Sequence, residues 1–96
     1  MLLVPASSAS AARCQLPDSV TTQSAIDDIT VAKTTCRTAL RAVRVWDNSD
    51  LCRELDACKV KASARWRCHV ISADEVRSSI RCAAKNRRRV SFTSQL

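Results

Sequence analysis

The chain lacks glycine and tyrosine, and its only aromatic residues are two tryptophans and one phenylalanine. Glycine most easily supplies the positive φ angles of tight hairpin turns and many β-bulges, so its absence favours helices over hairpins. The few aromatic side chains offer little to single-stranded nucleic acids, which stack on such rings. No apolar run approaches the roughly 18 residues that cross a bilayer. The absences therefore favour a helical domain without a membrane span.

Cysteine is abundant, with six residues whose spacing matches no paired-CxxC zinc motif. They are Cys14, Cys36, Cys52, Cys58, Cys68 and Cys82. A chain this short buries only about 60 to 65% of the surface that its unfolded form exposes, so its core needs cross-links. Disulfides persist in oxidising compartments. The cysteines therefore predict three disulfides and a secreted, extracellular protein.

Residues 1–12 have some features of an export signal. The first five residues are mostly apolar, and Ala9-Ser10-Ala11 has the small-x-small form of a cleavage site. We interpret residues 1–12 as the end of a truncated signal peptide; the alternative is a disordered Ala/Ser leader. Residues 13–86 then form the disulfide-rich domain, and residues 87–96 a basic, polar, flexible tail.

Apolar residues recur at three- and four-residue steps along three segments, which predicts helices over residues 24–46, 51–68 and 72–84. Ser24 and Ser72 each begin a capping-box pattern. Between the first two segments, residues 47–50 are turn formers. The predicted fold class is all-α, a small disulfide-stapled bundle of about three main helices.

An antiparallel hairpin of the first two helices, turning at residues 47–49, would place Cys36 opposite Cys58. Cys52 cannot pair with Cys68, because sixteen residues along one helix span about 24 Å. Two completions remain: Cys14 with Cys68 and Cys52 with Cys82, or Cys14 with Cys52 and Cys68 with Cys82. The first is preferred, because the chain before the first helix should lie beside the end of the second.

The preferred pairing, first with fifth, second with fourth and third with sixth, resembles that of the elicitins, secreted all-helical oomycete proteins with three disulfides. Residues 51–58 (Leu-Cys-Arg-Glu-Leu-Asp-Ala-Cys) are similar to the closely spaced central cysteine pair of that family, and residues 68–70 (Cys-His-Val) to its Cys-Asp-Leu. The resemblance covers residues 14–82. It implies a secreted effector that carries a sterol or another lipid.

Positive charge is concentrated in the second half of the chain. Residues 1–51 carry five basic and five acidic side chains, whereas residues 52–96 carry eleven basic and four acidic ones, so the net charge of +7 belongs to the second half. Arg77, Arg81 and Lys85 form a stripe on the third predicted helix that continues toward Arg88. Four more cations decorate the second predicted helix: Lys59, Lys61, Arg65 and Arg67.

The basic stripe suggests a surface for anionic membranes or acidic glycans, or else a means of staying in solution. Nucleic acid is least favoured, because no groove-reading motif is present. Catalysis is not expected, because His69 is the only histidine and its neighbour Cys68 is expected to be bridged. Zinc binding by Cys52, Cys58, Cys68 and His69 is an alternative on ligand type alone.

The sequence thus predicts a secreted, non-enzymatic interaction protein with no cofactor and no metal. One form of this hypothesis is an elicitin-like effector that binds a sterol or another lipid. The alternative is a cationic, membrane-active or anionic-surface-binding protein of the antimicrobial or defence type. The extracellular receptor and the oligomeric state are not indicated by any motif.

Overall fold

Residues 12–95, the part of the chain that the computed structural model describes, form an antiparallel β-sheet with two helices packed on one face. The strands are Ala12–Cys14 (β1), Ala25–Ala32 (β2), Ala57–Lys61 (β3), Arg65–Ala73 (β4), Arg77–Ala84 (β5) and Arg88–Gln95 (β6). The helices, Cys36–Asp47 (α1) and Asp50–Glu54 (α2), follow β2 in the chain. The strand order across the sheet is β1-β2-β6-β5-β4-β3. The predicted all-α bundle is therefore wrong.

The β3–β4 hairpin follows from a strict two-residue alternation. From residue 59 to residue 70 every even-numbered residue is apolar and every odd-numbered residue is polar, which is the period of a strand with one buried face. The second predicted helix, over residues 51–68, is wrong beyond α2. Its stripe of Cys58, Ala62 and Trp66 advances in steps of four, and residues four apart share a face on a strand as well as on a helix.

The third predicted helix and the predicted tail are also strands. Ile80 and Cys82 of β5 point into the core, opposite Phe92 and Val90 of β6. Since β6 lies between β2 and β5, residues 88–95 are the centre of the sheet and not a flexible tail. The predicted tail begins with three consecutive arginines. Arg87 lies in the β5–β6 turn, Arg88 lies on the core side of β6, and Arg89 lies on the opposite side.

The first predicted helix is half right. Residues 36–47 form α1, whereas residues 25–32 form β2. Ile26 and Ile29, three residues apart, both lie on the core side because a β-bulge at Asp28 adds one residue to the strand. This bulge produced the helix-like spacing.

Helix α1 covers the inner face of the sheet. The side chain of Thr35 caps its first turn by accepting a hydrogen bond from the amide of Thr38, at 3.2 Å. Its buried stripe consists of Ala39, Ala42, Val43 and Trp46. The Trp46 ring meets Phe92 of β6 edge-on, with centroids 5.1 Å apart. Neither helix within residues 12–95 is long and apolar enough to cross a membrane.

Residues other than glycine occupy the positive-φ positions of this structure. They are Asp28, Lys33, Ser63, Asn86 and Arg87. Ser63 lies in the β3–β4 turn, and the last two lie in the β5–β6 turn, so two hairpins form without glycine. The absence of glycine thus raises the conformational energy of these turns without excluding them.

All six cysteines are disulfide-bonded, as predicted, but the preferred pairing is wrong. The bonds are Cys14–Cys36, Cys52–Cys58 and Cys68–Cys82. The prediction of Cys36 with Cys58 assumed a helical hairpin, and the second helix ends at Glu54. Of the predicted pairs only Cys68 with Cys82, from the second completion, is found; these residues lie directly opposite each other on β4 and β5.

The N-terminal prediction falls mainly outside the described residues. Residues 1–11 of the predicted leader are not described, and Ala12 begins β1.

A buried carboxylate connects three elements. Asp47, at the end of α1 and only 1% exposed, accepts hydrogen bonds from the Gln23 amide at 2.5 Å and the Ser24 amide at 3.0 Å. The Ser24 hydroxyl also donates to Asp47, at 2.7 Å, and accepts from the Ser94 hydroxyl of β6 at 2.9 Å. The network therefore fixes α1 against the chain before β2 and against the central strand.

An exposed carboxylate shapes the β4–β5 turn. Asp74 accepts hydrogen bonds from the amides of Val76 at 3.0 Å and Arg77 at 2.9 Å. These bonds stabilise the ionised carboxylate and lower the pKa of Asp74. The turn sets the direction in which β5 begins.

We expect tryptic mapping of the unreduced protein to recover three linked peptide pairs. Cleavage at Lys33, at Arg53 and at Arg77 separates the two cysteines of each observed bond. Mass spectrometry before and after reduction identifies the pairs. A peptide linking Cys36 to Cys58 would contradict two of the observed bonds, Cys14–Cys36 and Cys52–Cys58.

Replacing Asp47 by alanine leaves three donors without this acceptor, two of them the buried amide and hydroxyl of Ser24 and one the partly buried amide of Gln23. We expect Asp47→Ala to lower the free energy of unfolding by about 2 to 4 kcal/mol, measured by urea denaturation. The control, Asp18→Ala, removes an exposed carboxylate and should change that free energy by less than about 0.5 kcal/mol. Equal effects of the two substitutions would show that the network does not contribute to stability.

Acid should weaken the β4–β5 turn. Because the pKa of Asp74 is lower in the folded state, its carboxylate stabilises the fold above the unfolded-state pKa, and this stabilisation is lost as the pH falls through the folded-state pKa. Carbon-13 NMR titration of the Asp74 carboxyl should give a midpoint below the ordinary value of 3.8. A midpoint at or above that value would mean that the amide hydrogen bonds do not form.

Candidate anion-binding face of the sheet

The face of the sheet opposite α1 carries most of the positive charge of the strands. Because successive side chains alternate between the two faces, the strand residues that do not enter the core point to this outer side. We call it the basic face and define it by Arg13, Lys59, Lys61, Arg65, Arg67, His69, Arg77, Arg81 and Arg89. Asp27 of β2 shares this face but lies near the other edge of the sheet.

Like charges lie directly opposite each other on neighbouring strands. Lys59 pairs with Arg67 and Lys61 with Arg65 between β3 and β4. The Cβ atoms of such cross-strand pairs lie about 4.5 to 5.5 Å apart, and like charges at this distance destabilise a sheet. The β3–β4 hairpin therefore places four cations where the fold alone gains nothing from them.

Acidic side chains do not neutralise the basic face. Within residues 12–95 the only ion pair joins Arg53 to Asp50, both on α2. The Nε atom of Arg81, near the middle of the basic face, is buried without a hydrogen-bond acceptor in this part of the chain. An unpaired buried donor of this kind costs free energy, which an incoming oxyanion could offset.

Two neighbouring grooves run over the β3–β4 hairpin on the basic face. The first, which we call the Ala83 groove, has a volume of about 730 Å³ and is lined by five cations, Lys59, Lys61, Arg65, Arg67 and Lys85, and by four apolar residues, Val60, Trp66, Ala83 and Ala84. The second, the Ala57 groove, has a volume of about 430 Å³ and is lined by Ala57, Lys59, Arg67 and His69. Each contains an alanine flanked by longer cations, and the two grooves share Lys59 and Arg67.

The structure places three of the four predicted anion-binding residues along β5 and the turn after it, with Arg77 and Arg81 about 13 Å apart. Arg77 and Arg81 point outward from β5, and Lys85 follows in the β5–β6 turn beside the Ala83 groove. Their four-residue spacing keeps Arg77 and Arg81 on one face of a strand as it would on a helix. Arg88, the fourth, pairs with Ala84 and lies on the helix side of β6, half-buried and apart from the others.

Sequence reasoning missed much of this face. Arg13, His69 and Arg89 were not predicted as binding residues, and the cations of β3 and β4 were placed on a helix. The signal was the alternation of basic and apolar residues from Lys59 to Val70, which assigns all of these cations to one side of a hairpin.

The disulfides involve the cysteines of the two other sites considered, the Cys68–His69 pair and the zinc alternative. Cys68, beside His69, is bonded to Cys82, and Cys52 is bonded to Cys58, so the zinc alternative lacks free thiolates. No group of three or more His, Cys, Asp or Glu side chains suited to a metal occurs within residues 12–95. His69 is exposed and lies opposite Arg81 on the basic face.

Comparison of the chain with protein families, with characterised proteins and with solved structures found no match. Nothing in these comparisons bears on the resemblance to elicitins, whose all-helical fold this chain does not share.

Proposed function

We propose that the protein is a secreted, non-enzymatic binding protein that attaches to an acidic polysaccharide through its basic face. The observation that carries the proposal is the direct opposition of Lys59 to Arg67 and of Lys61 to Arg65. Such pairs oppose folding, and a polyanion lying across them replaces the repulsion with attraction. Secretion is supported by three disulfides, since these bonds persist in oxidising compartments.

The aromatic residues favour a polysaccharide over a single-stranded nucleic acid. Trp46, Trp66 and Phe92 are all buried in the core, so His69 has the only exposed ring on the part of the basic face described here. The face presents charge with small polar side chains such as Ser79 and Ser91 between the cations. That combination suits the anionic and hydroxyl groups of a sugar chain.

The exposed apolar residues argue against a membrane as the partner. Leu51 of α2 and Leu55, which caps its C-terminal end, are 66% and 51% exposed, and Ile71 and Val76 are exposed at the far end of β4 and in the turn after it. A protein that binds lipid through basic residues gains affinity when apolar side chains enter the bilayer beside them. Here Arg65 and Arg67 lie at the start of β4, whereas Ile71 lies near its other end and Val76 beyond that end.

A lipid or sterol cargo, the function implied by the elicitin resemblance, receives no support from the cavities found. The Ala83 groove is open and lined by five cations as well as by apolar residues, whereas sites for apolar ligands enclose most of the ligand surface. The space between α1 and the sheet is filled by Trp46, Phe92 and their neighbours.

The proposal predicts salt-sensitive binding that depends on where the charge lies. The logarithm of the binding constant for heparin, measured by calorimetry, should fall linearly with the logarithm of the salt concentration, because each contact releases counterions. The double substitution Lys59→Gln with Arg67→Gln should weaken binding about tenfold or more at low salt, since it removes one opposed pair.

The matched control is Arg37→Gln with Arg44→Gln, which removes the same charge from exposed positions of α1. We expect this variant to retain most of the affinity. If both variants lose the same affinity for heparin, binding depends on net charge alone, and the proposed site on the sheet is refuted. Failure of the unmodified protein to bind heparin at low salt would refute the proposed function itself.

A further inference from the structure

Ala83 occupies an unusual position on the basic face. It is exposed near the end of β5, directly opposite Arg67 of β4 on one side and Arg89 of β6 on the other. Adjacent strands lie about 4.8 Å apart, so each arginine backbone is one strand away from the alanine. The short side chain leaves open space between two guanidinium groups.

Lysines lie on the Arg67 side of Ala83, in the Ala83 groove, which Arg89 does not line. Lys59, beyond Arg67 in the same row of the sheet, and Lys85, in the turn after β5, both line the Ala83 groove. Positive donors thus approach Ala83 from the two neighbouring strands and from the end of the hairpin. No acidic residue lines this groove.

The arrangement of the donors indicates the shape of the anion. A carboxylate presents two oxygens in one plane, which suits a single guanidinium fork. A sulfate ester presents three terminal oxygens that diverge, so two arginines and a lysine can each bind a different oxygen. The site at Ala83 has its donors on several sides and therefore fits the tetrahedral group better.

We propose that the space over Ala83, between Arg67 and Arg89, is a subsite for a sulfate ester, and that the polysaccharide bound by this protein is a sulfated one. This inference rests on the proposed function. The Ala57 groove continues the same surface, with Lys59 and Arg67 common to both. A sugar chain carrying repeated sulfates can therefore occupy both grooves along the hairpin.

The first test uses the intact oxidised protein and compares polygalacturonate, which has one carboxylate per sugar, with dextran sulfate of low substitution that carries about one sulfate per sugar, so that the charge density is matched. Dextran sulfate should bind at least about tenfold more tightly than polygalacturonate at equal salt, because only the sulfate uses all sides of the subsite. Equal affinity for the two polymers would overturn the sulfate subsite and leave the proposed function standing. If neither polymer binds, both fail.

The second test fills the subsite without changing its charge. Ala83→Leu places a branched side chain between Arg67 and Arg89 and should lower the affinity for dextran sulfate about tenfold, with little effect on polygalacturonate. The control, Ala25→Leu, enlarges another exposed alanine of the outer face, near the opposite edge of the sheet. Unchanged dextran sulfate binding by Ala83→Leu would overturn the inference.

Two further measurements make these results decisive. Thermal unfolding of both leucine variants should match the parent protein, so that a loss of binding is not a loss of fold. Double-stranded RNA supplies tetrahedral phosphates on a different polymer. Tighter binding of this RNA than of dextran sulfate, again lost in Ala83→Leu, would reassign the subsite to phosphate and overturn the sulfated polysaccharide.

Discussion

A single helix of ordinary length can cover only one face of a six-stranded sheet, and this constraint shapes the rest of the molecule. The twelve residues of α1 span about 18 Å, less than the roughly 24 Å across six strands. The core lies between the two helices on one side and the inner face of the sheet on the other. Three disulfides supplement it. Within residues 12–95 no element covers the outer face, which is mainly hydrophilic. Many sheets achieve this with mixed charges; this one uses cations on adjacent strands.

Parts of the fold could be read from the sequence, and the errors have identifiable causes. The end of the first helix, the turn near Ser49 and the oxidation of every cysteine are local features that the residues specify. The strands were missed because four-residue steps such as Cys58 to Ala62 occur on both helices and strands. At Asp28 a bulge imitated a three-residue step. Only the uninterrupted alternation around Trp66 distinguishes the two structures, and the absence of glycine does not exclude the hairpin, because Ser63 adopts the positive φ of its turn.

The candidate site was predictable in composition but not in shape. Positive charge in the second half of the chain and the shared orientation of Arg77 with Arg81 follow from the sequence, because a four-residue step has the same consequence in both secondary structures. The opposition of Lys59 to Arg67 and the isolation of Ala83 between two arginines depend on strand register. The register of a hairpin is set by its turn type and loop length, so these pairs follow from the sequence only once residues 57–95 are recognised as strands joined by short turns.

The central position of β6 determines when this sheet can close. Before residues 88–95 emerge from the ribosome, β1 with β2 and the β3–β4–β5 meander are two separate pieces, because β6 alone joins them. All three disulfides connect residues that precede β6, so oxidation can proceed on an open chain. The sheet is therefore complete only once β6, the strand that pairs with both β2 and β5, has docked at its centre.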